Sequence, residues 1–225
     1  SALVVHGDTG QLNLIGNAVV NQAGAVYELV SDVALANQSS GTFTNRGILR
    51  KAGGTGVSPI GVAVNGESGN RIEVQTGSLR FDSNLTMDDT DYDVAAYAEL
   101  LFSSGSTLVL TSDNSTNPPK THTGSGDGRV RLLPGSVLDG ANGSGVAGVR
   151  ARLNFPDEML QWEGGSLIDG AIENIGRITL STSAPKSLSG QLINTTLIEH
   201  RDDGPLSIIG NGLVNETNGI YDLVS

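Results

Sequence analysis

Three histidines and no cysteine in 225 residues leave few ligands for a transition metal. Zinc is held by three or four side chains, yet His6 and His200 lie far apart and His122 falls in a different context. His6 and His200 each precede an aspartate by two residues, Asp8 and Asp202. The His-x-Asp pair reads as a strand-end and turn feature that recurs because the surrounding sequence recurs. Carboxylates gather in MDDTDYD, where Asp88, Asp89, Asp91 and Asp93 alternate in the way oxygen ligands of calcium do. The stretch lacks the glycine and closing glutamate of an EF-hand, so it reads as a solvated acidic loop, and no metal or other cofactor is expected. Glycoside cleavage needs two carboxyls at a set separation. Asp82, Asp88, Asp157, Glu158, Glu163 and Asp169 are the candidates, but their spacing along the chain puts no two opposite each other. GGTG at Gly53–Gly56 has no lysine in phosphate-loop register and reads as a turn. Trp162, the only tryptophan, reads as a core or cap residue rather than an exposed sugar platform. No catalytic residue is assigned.

What remains conspicuous is asparagine. A short apolar stretch ends in Asn at Asn21, Asn45, Asn65, Asn154, Asn174, Asn194 and Asn215, with Asn84 a weaker member. Four of these share Gly-x-x-x-Asn, beginning at Gly41, Gly61, Gly170 and Gly190. Successive spacings stay near 20 except for a gap of 70 between Asn84 and Asn154. Asparagine tolerates the left-handed backbone of a sharp corner, and its amide can bond an equivalent amide one layer away. The seven residues are therefore expected to form a structural ladder.

The elements that position such a ladder follow from a longer repeat. LNLIGNAVVNQAGAVYELVS, residues 12–31, aligns without a gap on LSIIGNGLVNETNGIYDLVS, residues 206–225, with ten of twenty positions identical. Carried back, the offset of 194 pairs His6 with His200 and Gly10 with Gly204. The chain is thus one 194-residue unit plus the first 31 residues of a second, and reads as part of a longer tandem array. Within the unit, strands such as ILRK (Ile48–Lys51), RIEV (Arg71–Val74) and SLRF (Ser78–Phe81) alternate with glycine or polar turns. Two or three short strands per ~21 residues cannot bury an inner face alone but can do so by stacking. The chain is therefore expected to be one β-solenoid over residues 1–225, with nine turns to the unit and an irregular, loop-bearing region at 85–150.

Composition agrees with that reading. Glycine supplies 31 residues and aromatics only 4 %, as many tight turns around a lean aliphatic core require. A net charge of −11 opposes attraction to phosphate and excludes nucleic acid as a partner. No apolar run reaches the ~20 residues of a membrane-spanning helix, and the first residues lack the character of a signal peptide.

GTFTNRGILRKAGGTG (Gly41–Gly56) and NRIEVQTGSLRF (Asn70–Phe81) resemble the β-helical tandem repeats of very large bacterial exoproteins, of the haemagglutinin-like adhesin and autotransporter-passenger type. The resemblance covers most of residues 1–84 and 150–225 and is poor between them. It implies an all-β, right-handed parallel β-helix of about ten coils, an extracellular or cell-surface location, and a non-catalytic role as spacer or adhesive stalk. The partners it implies are neighbouring repeats of the same chain and a glycan or cell-surface protein. The rival reading is a carbohydrate-active β-helix, a tailspike-like polysaccharide lyase or glycoside hydrolase.

Overall fold

A computed structural model describes residues 2–7, 10–15, 19–111, 120–140, 150–201, 203–210 and 212–224. The chain winds as a parallel β-solenoid with three strands to a turn, and no helix occurs among the described residues. The first turn holds β1 (Leu3–His6), β2 (Leu12–Ile15) and β3 (Val19–Asn21), and the second β4 (Val26–Leu29), β5 (Leu35–Ser39) and β6 (Thr42–Asn45). The third holds β7 (Ile48–Lys51), β8 (Val57–Ile60) and β9 (Ala63–Gly66), and the fourth β10 (Arg71–Val74), β11 (Ser78–Phe81) and β12 (Leu85–Met87). The fifth holds β13 (Asp91–Val94), β14 (Glu99–Phe102) and β15 (Thr107–Leu110). The sixth holds β16 (Thr121–Ser125), β17 (Arg129–Leu132) and β18 (Val137–Gly140). The seventh begins with β19 (Ala151–Asn154) and β20 (Leu160–Trp162). Its third strand, β21 (Gly165–Asn174), continues round the corner to open the eighth turn, with Asp169 and Gly170 at φ 43° and 56° making the bend. The eighth turn continues with β22 (Arg177–Leu180) and β23 (Lys186–Leu188), and the ninth is β24 (Gln191–Asn194), β25 (Leu197–His200) and β26 (Leu206–Ile208). Two strands of a tenth, β27 (Leu213–Asn215) and β28 (Ile220–Leu223), complete the described chain.

Strands in like positions stack in parallel and form three faces. The first face runs from β1 and β4 to β24 and β27, the second from β2 and β5 to β25 and β28, and the third from β3 and β6 to β23 and β26. Alternation of period two drives this arrangement, because successive side chains point to opposite sides of a strand. In TFTN, ILRK and SLRF alternate residues are buried and the others half-buried. The inward residues line up as columns. On the second face Ile60, Phe81, Phe102, Leu132, Trp162 and Leu180 follow one another in register, with Phe81 and Phe102 stacked at 5.6 Å between ring centroids.

The region expected to be irregular keeps the stack. Strands β12 to β18 pair with their neighbours above and below, with one register shift, at Asp139 and Gly140 where β18 meets β21. What changes most is turn length: first-face partners lie 20–23 residues apart in the early turns, but Asp91 pairs with Thr123 and Thr123 with Asn154, 32 and 31 residues on. Much of the added length in these turns falls at 112–119 and 141–149, outside the described residues. Part of the polar run Thr111–Gly128 is solenoid wall, since its Thr121–Ser125 portion is β16, with His122 and Gly124 buried.

Candidate functional site

The asparagine ladder exists, but in two shorter pieces than spacing suggests. Asn21 pairs in register with Asn45, and its amide donates to Asn45 Oδ1 at 2.8 Å and to the Ile48 carbonyl at 2.9 Å. At the other end Asn174, Asn194 and Asn215 are successive partners, joined by two amide-to-amide bonds of 2.8 Å each. Asn174 and Asn194 also donate to the Leu197 and Ile220 carbonyls of the next turn. Each of these amides thus ties the corner of one turn to the turn that follows.

Asn65 and Asn154 do not belong to these ladders. In Gly61–Gly66 the apolar Val62 and Val64 point inward, so period two turns Asn65 out to solvent and puts Gly66 opposite Asn45. In β19, Ala151 and Leu153 point inward, Leu153 pairs with Asn174, and Asn154 is exposed. The parity of the flanking residues carries the distinction: an arginine, Arg152, two residues before Asn154 cannot occupy an inward site. Where Gly66 leaves the ladder position empty of side chain, Asn70 fills it. A Cβ on Gly66 would lie 2.7 Å from Asn70 Oδ1, and the Asn70 amide donates to the Glu67 and Asp88 carbonyls and to Thr90 Oγ1. Nothing in the spacing of the series marks Asn70; its signal is the turn ESGN that it ends.

The histidines do not converge. His6 closes β1, with Nε2 2.9 Å from the Gly10 carbonyl and Nδ1 3.3 Å from the Tyr27 hydroxyl; His200 does the same with Gly204 and Tyr221 at 3.0 Å each. Burial pushes the Tyr27 hydroxyl up to about 12. The His-x-Asp recurrence is therefore a corner clasp; Asp8 and Asp202 themselves lie outside the described residues. His122 is elsewhere, fully buried between Tyr92 and the core, and neither ring nitrogen makes a well-formed hydrogen bond among the described residues. Burial lowers the His122 imidazole to about 4, so the ring stays neutral above that pH, against a weaker opposing pull from Asp89 and Asp88.

Charged groups are arranged as ladders on the outer faces. Arg50 sits between Glu28 at 3.0 Å and Glu73 at 2.6 Å, and Arg71 links Glu73 to Asp93. Arg131 bridges Glu99 at 3.0 Å and Glu163 at 2.6 Å, Arg152 takes Glu173, and Arg177 and Arg201 both engage Glu199. These bonds raise the Arg131 guanidinium, chiefly through Glu163, and hold Glu199 low through Arg177 and Arg201 against the opposing effect of burial. Of the acidic run, Asp88 pairs with Lys120, Asp89 accepts the Thr121 N–H, Asp93 pairs with Arg71, and Asp91 is exposed. Asp82 pairs with Arg80, and Asp169 occupies a corner. Two lysines close corners from inside: Lys51, fully buried, reaches Asp32 at 2.8 Å and the Gly53 carbonyl at 2.7 Å, and Lys186, equally buried, donates to the Thr182 and Ala184 carbonyls. The Lys51 contact, with the Gly56 N–H, holds the Asp32 carboxyl below its usual range although partial desolvation opposes it.

No family model matches this chain, and no curated protein or solved structure is significantly similar to it.

The corner between the first and second faces carries a shallow groove of about 440 Å³, lined by Asp127, Arg129, Asp157, Glu158, Met159 and Arg177. It continues on one side past Tyr97, whose side chain is wholly exposed at φ 65°, and on the other past Asn154 and Leu197. Of the six carboxylates named from sequence, the fold brings only Asp157 and Glu158 to this groove, where sequence reasoning had not placed Asp127. Glu158 is taken up by Arg201 at 2.6 Å. Trp162 is buried, its indole N–H bonded to the Gly164 carbonyl at 3.0 Å, and offers no platform.

Proposed function

We propose that this chain is a non-catalytic repeat of a long secreted or cell-surface fibre, serving as a spacer or adhesive stalk whose partners are its own neighbouring repeats and a glycan or cell-surface protein. The observation that supports it best is that the two copies of the repeated segment keep the same clasp, His6 to Tyr27 and His200 to Tyr221, while stacked on other turns of the solenoid. A segment that rebuilds its own surroundings wherever it stacks suits extension into a shaft. Repetition also multiplies reach and valency, whereas Glu163, the best-buried of the candidate acids, is committed to Arg131.

The groove at Asp127, Asp157 and Glu158 favours a second reading, a carbohydrate-active surface, because it sets carboxylates beside Arg129 and Arg177. Incubation with acidic and neutral polysaccharides separates the two. The stalk reading expects no new chain ends from either class. Depolymerisation that is lost in Asp157→Ala would overturn it.

A further inference from the structure

The repeat is not a whole number of solenoid turns. From β1 to its counterpart β25 the chain passes through twenty-four strands, of which β21 serves two faces, so the unit spans twenty-five face segments, or eight turns and one face. The consequence is visible in the pairing. β1 lies in the first face and stacks under β4, but β25 lies in the second, between β22 and β28. β2 of the second face returns as β26 in the third, and β3 of the third returns as β27 in the first.

The two copies also show what each end of a unit fits. Val4 in the first turn is 51 % exposed, whereas Ile198 at the same place in the second copy is 1 % exposed because β22 lies against it. Leu29 is fully buried under β7, whereas its counterpart Leu223 is 73 % exposed. Each apolar end therefore has its complementary surface within the structure: β22 to β24 for the first turn of a unit, and the counterparts of β5 to β7 for the tenth turn.

We propose that successive units join with each turned by one face, a third of a turn about the axis, so that the period of the array is three units rather than one. Eight and a third turns at the ~4.8 Å strand spacing advance each unit by about 40 Å and three by about 120 Å. Whatever one corner carries, such as the groove that runs from Tyr97 to Arg177, reappears at the next corner in the next unit. The shaft then presents it on all three sides. This inference rests on the proposed array, and it holds whether the array is a plain spacer or an adhesive one.

Two measurements test it. A chain lengthened to six units, with a short epitope inserted beside Tyr97 in each and decorated with an antibody fragment, is imaged by electron microscopy. Fragments recurring on one side every ~120 Å are expected, and fragments all on one side every ~40 Å would overturn the proposal. In the 225-residue chain, which has no native cysteine, Arg177→Cys with Leu197→Cys should form a disulfide, since these outward positions are register partners on the second face. Ala171→Cys with Leu197→Cys should not. Oxidation of the second pair in place of the first would show that the unit closes on whole turns, and this reading does not depend on the array forming.

Discussion

The terminal turns and the middle of the solenoid solve the same corner problem differently. In the ninth turn Asn194 is fully buried, yet its amide reaches both Asn215 and the Ile220 carbonyl. In the sixth turn His122 is equally buried, and among the described residues its ring finds no well-formed partner. The turns around it are the long ones, and a small apolar cavity lined by Tyr92, Phe102, Leu108, His122 and Phe155 lies beside it. Regular turn length lets like residues meet and satisfy one another, whereas the added residues around His122 break that matching of like with like.

That contrast sharpens most under acid. The folded chain holds His122 neutral to about pH 4, while in the unfolded chain it titrates at its ordinary value of 6.5. The unfolded state therefore binds the extra proton across that window, and stability present above pH 6.5 is lost as pH falls toward 4. The loss through this group is about 3 kcal/mol. Urea midpoints between pH 7 and 4 should show a steep decline in the native chain that flattens in His122→Phe. A decline of the same slope in both would remove His122 as the weak point.

The regular corners should fail by substitution instead. Asn174→Ala deletes a donor to Asn194 and Leu197 and is expected to cost about 2 kcal/mol, read as a shift in chemical-denaturation midpoint at constant slope. The exposed ladders are worth less. Arg131→Met, at a guanidinium with a side chain 29 % exposed, should lower stability by about 1 kcal/mol at low salt and by less at high salt. Smallest of all, Asn65→Ala and Asn154→Ala should each stay within about 0.5 kcal/mol of the native chain, because both side chains face solvent.

The last pair marks how far the sequence could be read. The solenoid, its strands at Ile48–Lys51, Arg71–Val74 and Ser78–Phe81, and the two ladders follow from glycine turns, period-two alternation and the 194-residue repeat. The membership of Asn65 and Asn154 does not follow from spacing, since a turn of 20 and one of 21 differ by a residue and one residue inverts which side points in. The strand at Thr121–Ser125 was hidden because His122, Gly124 and their threonine neighbours carry no apolar alternation; Phe155 and Met159 crowd the space above Gly124 that a side chain there would need. The unit's eight turns and one face were equally hidden, because a run of asparagine spacings can sum to 194 over nine turns while its members sit on different faces.

The central claim is that register, not spacing along the chain, decides which asparagines work together, and a pair of double-mutant cycles on the folding free energy tests it most directly. Asn174 and Asn194, in register and bonded at 2.8 Å, should show a coupling of about 1 kcal/mol. Asn154 and Asn174 have the same spacing of 20 residues but are out of register, and should show a coupling within about 0.3 kcal/mol of zero. Equal couplings in the two cycles would contradict the account.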